Sequence, residues 1–229
     1  MIKNIFFDLD DTLLDFKAAE RESLTATLTA FGIPQDEAVL VRYSEINHSC
    51  WEKLQRKEYT LDEVLSRRFE IFFSELGIKA DIPRVRADYE RRLRESARPS
   101  RGAVELLRLL QGKYRIFVVT NGVSRSQYSR ISNAGIGEYI ERVFVSEDVG
   151  CEKPDPEFFK RVLAELRDVN ESESIIVGDS MTSDIPAGAE AGILTCLYNP
   201  EGKVYTQEPA PNFEIKRLSE LSEIIESIG

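Results

Sequence analysis

The chain has 229 residues, 42% of them hydrophobic and 31% charged, which is enough to bury the core of one large domain or of one domain with an insert. The formal net charge is -10 and no basic stretch is interleaved with aromatic residues, so nucleic acid polymers are not expected partners. We find no apolar run of about 18 residues and no signal-peptide pattern, so we expect a cytoplasmic protein that does not bind membranes.

The numbers of cysteine and histidine residues limit the disulfides and metal sites that the chain could form. Cys50, Cys151 and Cys196 are odd in number and far apart, which indicates reduced thiols rather than a disulfide framework or a zinc site. His48 is the only histidine, so a histidine-rich metal site is excluded.

The chain begins with a short apolar run, residues 2–7, which predicts a buried strand. Asp8, Asp10 and Asp11 follow at once, and Asp8 and Asp10 project to the same face of an extended chain. Clustered carboxylates at the end of a buried strand repel one another and are costly to desolvate, so a cation is expected nearby. The alternative is an acidic strand end followed by a helix N-cap at Asp11 or Thr12.

Helical patterns then continue for about 80 residues. Thr60 and Glu63 form a predicted capping box, and Pro99 marks a boundary. We therefore predict an all-helical unit, residues 15–97, inserted behind the first strand. Its predicted helices cover residues 15–31, 36–55, 60–76 and 82–97.

The rest of the chain alternates between strands and helices, which predicts right-handed crossovers and a mostly parallel sheet. The fold class is therefore α/β, with a core domain of residues 1–14 and 98–229. Four further strands are predicted at residues 115–119, 142–145, 174–177 and 194–198. The predicted helices are residues 103–110, 126–133, 156–166, 187–191 and 218–228.

Polar residues follow these strands at their carboxyl ends, where an open α/β sheet binds ligands. Thr120 and Asn121 follow the second strand, Lys153 comes after the third, and Asp179 and Asp184 follow the fourth. Together with the first acidic pair they offer oxygen ligands without histidine or cysteine, which favours a hard cation such as Mg²⁺.

This set of motifs resembles the haloacid dehalogenase superfamily. The matching segments occur in that superfamily's order, each after its own strand, and the helical insert is similar to its helical cap type. The resemblance implies a Rossmann-like core with an inserted cap domain and a phosphohydrolase activity. The matching segments are residues 8–12, 120–122, 153–154 and 178–184.

The resemblance implies a role for each motif. Asp8 would attack phosphorus to form an aspartyl-phosphate, and Asp10 would protonate the leaving alkoxide and then activate water. Mg²⁺ would be held by Asp8, Asp179 and the main-chain carbonyl of Asp10. Lys153 would add a fixed positive charge.

The remaining motif residues have supporting roles. Thr120 and the backbone N–H groups of Asn121 and Gly122 would hold phosphate oxygens, with an N-cap as the alternative for Thr120. Asp184 would hold metal-bound water or steady Lys153, and a helix N-cap is its alternative.

Other chemistries occur within the superfamily. Dehalogenation uses a metal-free site that lacks the second aspartate, whereas Asp10, Asp179 and Asp184 are all present here, which favours phosphoryl transfer. The same core would serve a sugar phosphomutase, so the core motifs leave that activity open.

A narrower resemblance concerns the substrate. Parts of the chain are similar to the branch of pyrimidine and noncanonical nucleoside 5′-monophosphatases. In the core these are residues 10–16, 120–124, 127–128, 145–148 and 199–200. In the helical insert they are residues 46–47, Trp51 and residues 68–69, which include Asn47 and Arg68. Trp51 could stack on a base and Asn47, one helical turn away, could bond its edge, with Trp51 in the cap core as the alternative. Phe16, in the loop behind the first motif, is a further candidate for contact with substrate.

Two other functions stay open at this point. One is a phosphatase of small metabolites such as phosphoglycolate or sugar phosphates, and the other is a receiver-like module that responds to phosphate. The expected partner is a small phosphorylated molecule, most simply a nucleoside monophosphate, and we expect a monomer.

Overall fold

A six-stranded parallel sheet with strand order β3-β2-β1-β4-β5-β6 organises the chain in the computed structural model, which describes residues 1–228. β1 is central because the chain runs outward through β2 and β3 on one side, and then returns to build β4, β5 and β6 on the other. The strands are β1 Asn4–Phe7, β2 Arg115–Thr120, β3 Arg142–Val145, β4 Ser174–Gly178, β5 Leu194–Tyr198 and β6 Phe213–Ile215.

Ten α-helices accompany these strands within the described residues, with two short 3₁₀ turns at Gly137–Tyr139 and Glu171–Glu173. The first four are α1 Phe16–Ala30, α2 Glu37–Gln55, α3 Leu61–Leu76 and α4 Ile82–Glu95. The others are α5 Ala103–Leu110, α6 Ser124–Asn133, α7 Ser146–Val149, α8 Pro156–Glu165, α9 Asp184–Glu190 and α10 Glu220–Ile228.

The chain divides into two compact units. One consists of Met1–Asp15 together with the chain from Arg98 onward, and the other is Phe16–Ala97. Within the first unit, the Asp15 N–H donates a hydrogen bond of 2.9 Å to the Arg98 carbonyl, which ties the segment that leaves this unit to the segment that re-enters it.

Side-chain alternation along the central strands builds a core on each face of the sheet. Ile5 and Phe7 of β1 belong to the apolar cluster that includes buried residues of α5, α6 and α10. Phe6, between them, belongs to a second cluster with buried residues of α8 and α9. Strands that are buried on both faces are apolar throughout, which is why the sequence at β1 lacks a polar alternation.

The helical unit has a core of its own, in which aromatic rings pack edge to face and at tilted angles. Tyr43 lies 5.3 Å from Phe69 and 5.6 Å from Tyr89, measured between ring centroids. The predicted capping box is present: Thr60 accepts a hydrogen bond from the Glu63 N–H, and Glu63 accepts one from the Thr60 N–H.

The α/β fold class is confirmed, but several boundaries differ from the sequence prediction. β6 was not predicted because it is a three-residue edge strand that follows Pro209 and Pro211, too short to show an alternating pattern. The helix predicted from residue 187 begins at Asp184, and the last helix begins at Glu220. Within residues 1–228, no helix combines the length and the apolar character that a membrane span requires.

Gly188 lets α9 pack closely against β4 and β5. A Cβ at this position would lie 2.4 Å from Cγ2 of Ile176 on β4 and 2.9 Å from Cγ2 of Thr195 on β5. Gly188→Ala should therefore lower the free energy of unfolding by about 1–3 kcal/mol through overpacking, as measured by urea denaturation.

The matched control is Gly137→Ala, where the nearest atom to the new Cβ is Cγ2 of Ile131, at an ordinary 3.6 Å. Equal stability of the two variants would show that α9 does not pack as closely on the sheet as described.

Candidate active site

The acidic segment after β1 turns back on itself at the carboxyl edge of the sheet. The Asp8 N–H donates to the Val177 carbonyl at 2.9 Å, which continues the pairing of β1 with β4 for one residue. The chain then bends so that the Leu14 N–H reaches the Leu9 carbonyl at 2.8 Å, and Asp11 adopts a left-handed backbone with φ of 59°. The tight turn holds Asp8 and Asp10 at the edge where the strand order reverses, the usual ligand position in such sheets.

Lys153 is the central cation of this site. Its side chain is 1% exposed, and Nζ donates to Asp8 Oδ1 at 2.9 Å, to Asp184 Oδ1 at 2.6 Å and to the Val119 carbonyl at 2.7 Å. An ammonium group has three N–H donors, so these three acceptors satisfy it completely. Burial alone would lower the pKa of Lys153, but the carboxylates of Asp184 and Asp8 outweigh burial and raise it.

Asn121 fixes the backbone of Lys153. Its side-chain amide donates to the Lys153 carbonyl at 2.8 Å and accepts from the Lys153 N–H at 2.9 Å. The motif after β2 thus holds the lysine of the motif after β3, a contact between side chain and main chain that motif spacing does not reveal.

Asp8 and Asp184, the two carboxylates that contact Lys153, lie close to a third, Asp179. One oxygen from each of Asp8, Asp179 and Asp184 lies within 4.8 Å of the others. Burial raises the pKa of Asp8 to about 8, with Lys153 opposing the rise and Asp184 and Asp10 adding to it. One ammonium cannot balance three carboxylates, and an all-oxygen set of this kind fits a hard divalent cation.

Gly178 makes room for Asp184. A Cβ at residue 178 would lie 2.2 Å from Asp184 Oδ2, so only glycine permits the carboxylate to pack against the end of β4. Oδ2 also accepts from the Ser180 N–H at 3.0 Å, while Oδ1 faces Lys153. Of the roles considered for Asp184, the contact geometry agrees with steadying Lys153, and the helix N-cap is Ser183 instead.

Asp10 is held by helix α6, two of whose residues were not assigned a role from the sequence. Arg130 Nη1 donates to Asp10 Oδ1 at 2.5 Å, and Gln127 Nε2 donates to Asp10 Oδ2 at 2.8 Å. Gln127 Nε2 also lies 2.8 Å from Thr120 Oγ1. The signal that could have revealed them is their spacing: two polar residues three apart on the face of α6 that also carries the buried Ile131.

Of the groups predicted to hold phosphate, the Gly122 N–H already has a hydrogen-bond partner. The Gly122 N–H donates to Ser146 Oγ at 3.1 Å, so binding a phosphate oxygen there requires an exchange of partners. The Asn121 N–H and the Thr120 hydroxyl stay predictions, and Thr120 is fully buried beside Gln127.

The structure thus brings the predicted core residues together at one edge of the sheet, namely Asp8, Asp10, Thr120, Asn121, Gly122, Lys153, Asp179 and Asp184. The other candidates, Phe16, Asn47 and Trp51, lie in the helical unit.

Asn47 is 3% exposed; its amide donates to Glu20 at 2.7 Å and accepts from Arg68 at 3.2 Å. Trp51 and Phe16 pack partly buried against the helical core. Their contact with substrate stays a prediction.

A family model described as haloacid dehalogenase-like hydrolase matches residues 2–192. The chain belongs to this family. It is therefore a hydrolase, and the family resemblance drawn from the motifs is confirmed.

Many relatives match nearly the whole chain, and three of them are compared in detail. The putative HAD-hydrolase YfnB of Bacillus subtilis is 36% identical over 97% of this chain and 95% of its own length. Its crystal structure, bound to magnesium, superposes with a TM-score of 0.93 and covers 98% of both chains.

The other two are named pyrimidine 5′-nucleotidases. PynA of Streptococcus pneumoniae is 31% identical over 98% of this chain and 95% of its own. YjjG of Escherichia coli is 28% identical over 96% of each chain.

Replacing the buried Lys153 should destabilise the protein. Lys153→Met leaves the carboxylates of Asp8 and Asp184 without their cation, so the free energy of unfolding should fall by about 3–5 kcal/mol in urea denaturation. Adding Asp184→Asn should recover part of that loss, because one of the uncompensated charges is then removed.

Lys160→Met is the control, since the side chain of Lys160 is 74% exposed and makes only a surface ion pair with Glu157. A Lys153→Met protein as stable as this control would contradict the buried cluster.

Proposed function

We propose that the protein is a Mg²⁺-dependent phosphomonoesterase that works through an aspartyl-phosphate on Asp8 and acts on nucleoside 5′-monophosphates. The observation that carries this proposal is the contact of Lys153 with Asp8 at 2.9 Å, in a cluster that also contains Asp179 and Asp184 and has Asp10 beside it. A nucleophile, a fixed cation, a set of metal ligands and an acid–base group are thus available at one place.

In the first step, a carboxylate oxygen of Asp8 forms a bond to phosphorus while the bond from phosphorus to the ester oxygen breaks. The departing alkoxide takes a proton from Asp10. In the second step water attacks phosphorus, its proton passes to Asp10, and phosphate leaves with the carboxylate of Asp8 restored. Asp10 ends the cycle as it began, carrying one proton.

The charge of the phosphate has to be balanced for Asp8 to approach it. Asp8, Asp179 and the main-chain carbonyl of Asp10 would hold Mg²⁺, which, when bound, offsets the repulsion between a carboxylate and a phosphate dianion. Lys153 contributes a positive charge that its three hydrogen bonds keep in one position. The hydroxyl group of Thr120, at the end of β2, would donate a hydrogen bond to a phosphate oxygen.

The nucleotide substrate class is supported by the two relatives named as pyrimidine 5′-nucleotidases, which match over nearly the full length of this chain. In the helical unit, Trp51 is a candidate to stack on the base and Phe16 to border it. Asn47 bonds Glu20 and Arg68, so its contribution would pass through that buried network unless the network opens.

Asp8→Asn tests the nucleophile. The amide is nearly isosteric but cannot form the aspartyl-phosphate, so kcat should fall by about four orders of magnitude or more, while circular dichroism and the gel-filtration volume stay unchanged. Phosphate release is the assay. Asp62→Asn is the control, because the Asp62 side chain is 87% exposed on the helical unit. An Asp8→Asn protein with full activity would refute the proposal.

A substrate panel tests cofactor and specificity together. Phosphate release should require Mg²⁺, stop in EDTA and return with added Mg²⁺, and it should be fastest for uridine and thymidine 5′-monophosphates. Faster release from phosphoglycolate or a sugar phosphate would keep the mechanism and replace the substrate class.

A receiver-like module predicts a different result from the same panel. Mass spectrometry would then find a long-lived phosphate on Asp8 without steady-state release from any compound in the panel.

A further inference from the structure

Both carboxylate oxygens of Asp10 are bonded to helix α6. Arg130 donates to Oδ1 at 2.5 Å and Gln127 donates to Oδ2 at 2.8 Å. Arg130 is 1% exposed and Gln127 3% exposed. Two donors on two different oxygens fix the plane of a carboxylate as well as its position, which a single contact cannot do.

The chemistry of this cluster fixes the orientation of the Gln127 amide. Arginine can only donate hydrogen bonds, so the atom of Gln127 that faces Arg130 has to be an acceptor. Gln127 Oε1, which accepts from Arg130 at 3.0 Å, must therefore face the guanidinium, and Nε2 must face Asp10. The second proton on Nε2 points to Thr120 Oγ1 at 2.8 Å.

This orientation also decides what the Thr120 hydroxyl can do. Its oxygen accepts from Gln127, so the hydroxyl proton has to donate elsewhere. The acceptor it has here is the Asn121 carbonyl at 3.5 Å, the outer limit of a hydrogen bond. A phosphate oxygen at the usual distance would be a better acceptor, so the same glutamine that orients Asp10 leaves Thr120 as a donor.

We propose that Gln127 and Arg130 are positioning residues, which fix the carboxyl group of Asp10 for proton transfer to the leaving group and orient the Thr120 hydroxyl as a donor. This inference rests on the proposed phosphomonoesterase function. Neither residue exchanges a proton in the cycle. Asp10 gives its proton to the ester oxygen as the phosphorus–oxygen bond breaks and regains one from water, while Gln127 and Arg130 hold it in reach of both.

The test compares two leaving groups. The alkoxide of uridine 5′-monophosphate needs a proton to depart, whereas p-nitrophenolate departs without one, so the ratio of their kcat/KM values reports proton donation by Asp10. Arg130→Met should lower this ratio by about 100-fold, and Arg130→Lys, which keeps a donor, should restore it to within about tenfold of the wild type.

Two further variants separate positioning from folding. Gln127→Glu keeps the shape of the side chain and the acceptor for Arg130 but removes both donations, so it should lower the ratio even if Arg130→Met fails to fold. In an Asp10→Asn background, Arg130→Met should leave the ratio unchanged, because the residue acts through Asp10.

Arg125→Met is the control, since Arg125 is exposed on the same helix. Equal losses for both substrates, or the same fall of the ratio with and without Asp10, would overturn the inference and leave a structural ion pair.

A wild type that hydrolyses neither compound would refute the proposed function instead. A crystal structure of Gln127→Glu then decides the positioning claim: a displaced Asp10 carboxylate supports it, and an unchanged one overturns it.

Discussion

The ammonium group of Lys153 is the interaction on which the rest of the site depends. Its three hydrogen bonds join Asp8 at the end of β1, the carbonyl of Val119 in β2 and Asp184 at the start of α9. Segments that are far apart in the chain therefore share one buried charge, and none of them can shift without leaving a donor or a carboxylate unpaired. The glycine at residue 178 and the amide of Asn121 serve the same arrangement, the first by admitting Asp184 and the second by holding the backbone of the lysine.

The two aspartates after β1 have separate supports, although they are only two residues apart. Asp8 is held by the lysine side of the site, and Asp10 by Arg130 and Gln127 on α6. In the proposed mechanism the two need different surroundings, since Asp8 must be ionised when it attacks phosphorus and Asp10 must change its protonation in each cycle. Supporting them from different elements lets each environment be set without disturbing the other.

Site residues could be predicted where their own stretch of sequence marks them, and could not where their role depends on contacts with distant parts of the chain. Asp8, Asp10 and Asp179 each follow an apolar strand directly, so topology alone predicts that they lie at one edge of the sheet. Arg130 and Gln127 sit within a helix of polar residues, where charged side chains are normally solvated, and their burial depends on what lies opposite them in space. β6 was not predicted for a related reason. It is a strand because it pairs with β5, and its own three residues show no strand pattern.

The central position of β1 also bears on the order in which the chain assembles during synthesis. β1 ends at Phe7, and its neighbours β2 and β4 begin only at Arg115 and Ser174, with the whole helical unit in between. The helical unit is continuous in sequence and has its own core, so it can fold while the ribosome is still translating the sheet. Until β2 and β4 have been synthesised, both edges of β1 are unpaired, and an unpaired apolar strand is prone to aggregation. Among the six described strands, β1 is thus the first to be synthesised and among the last to be paired on both sides.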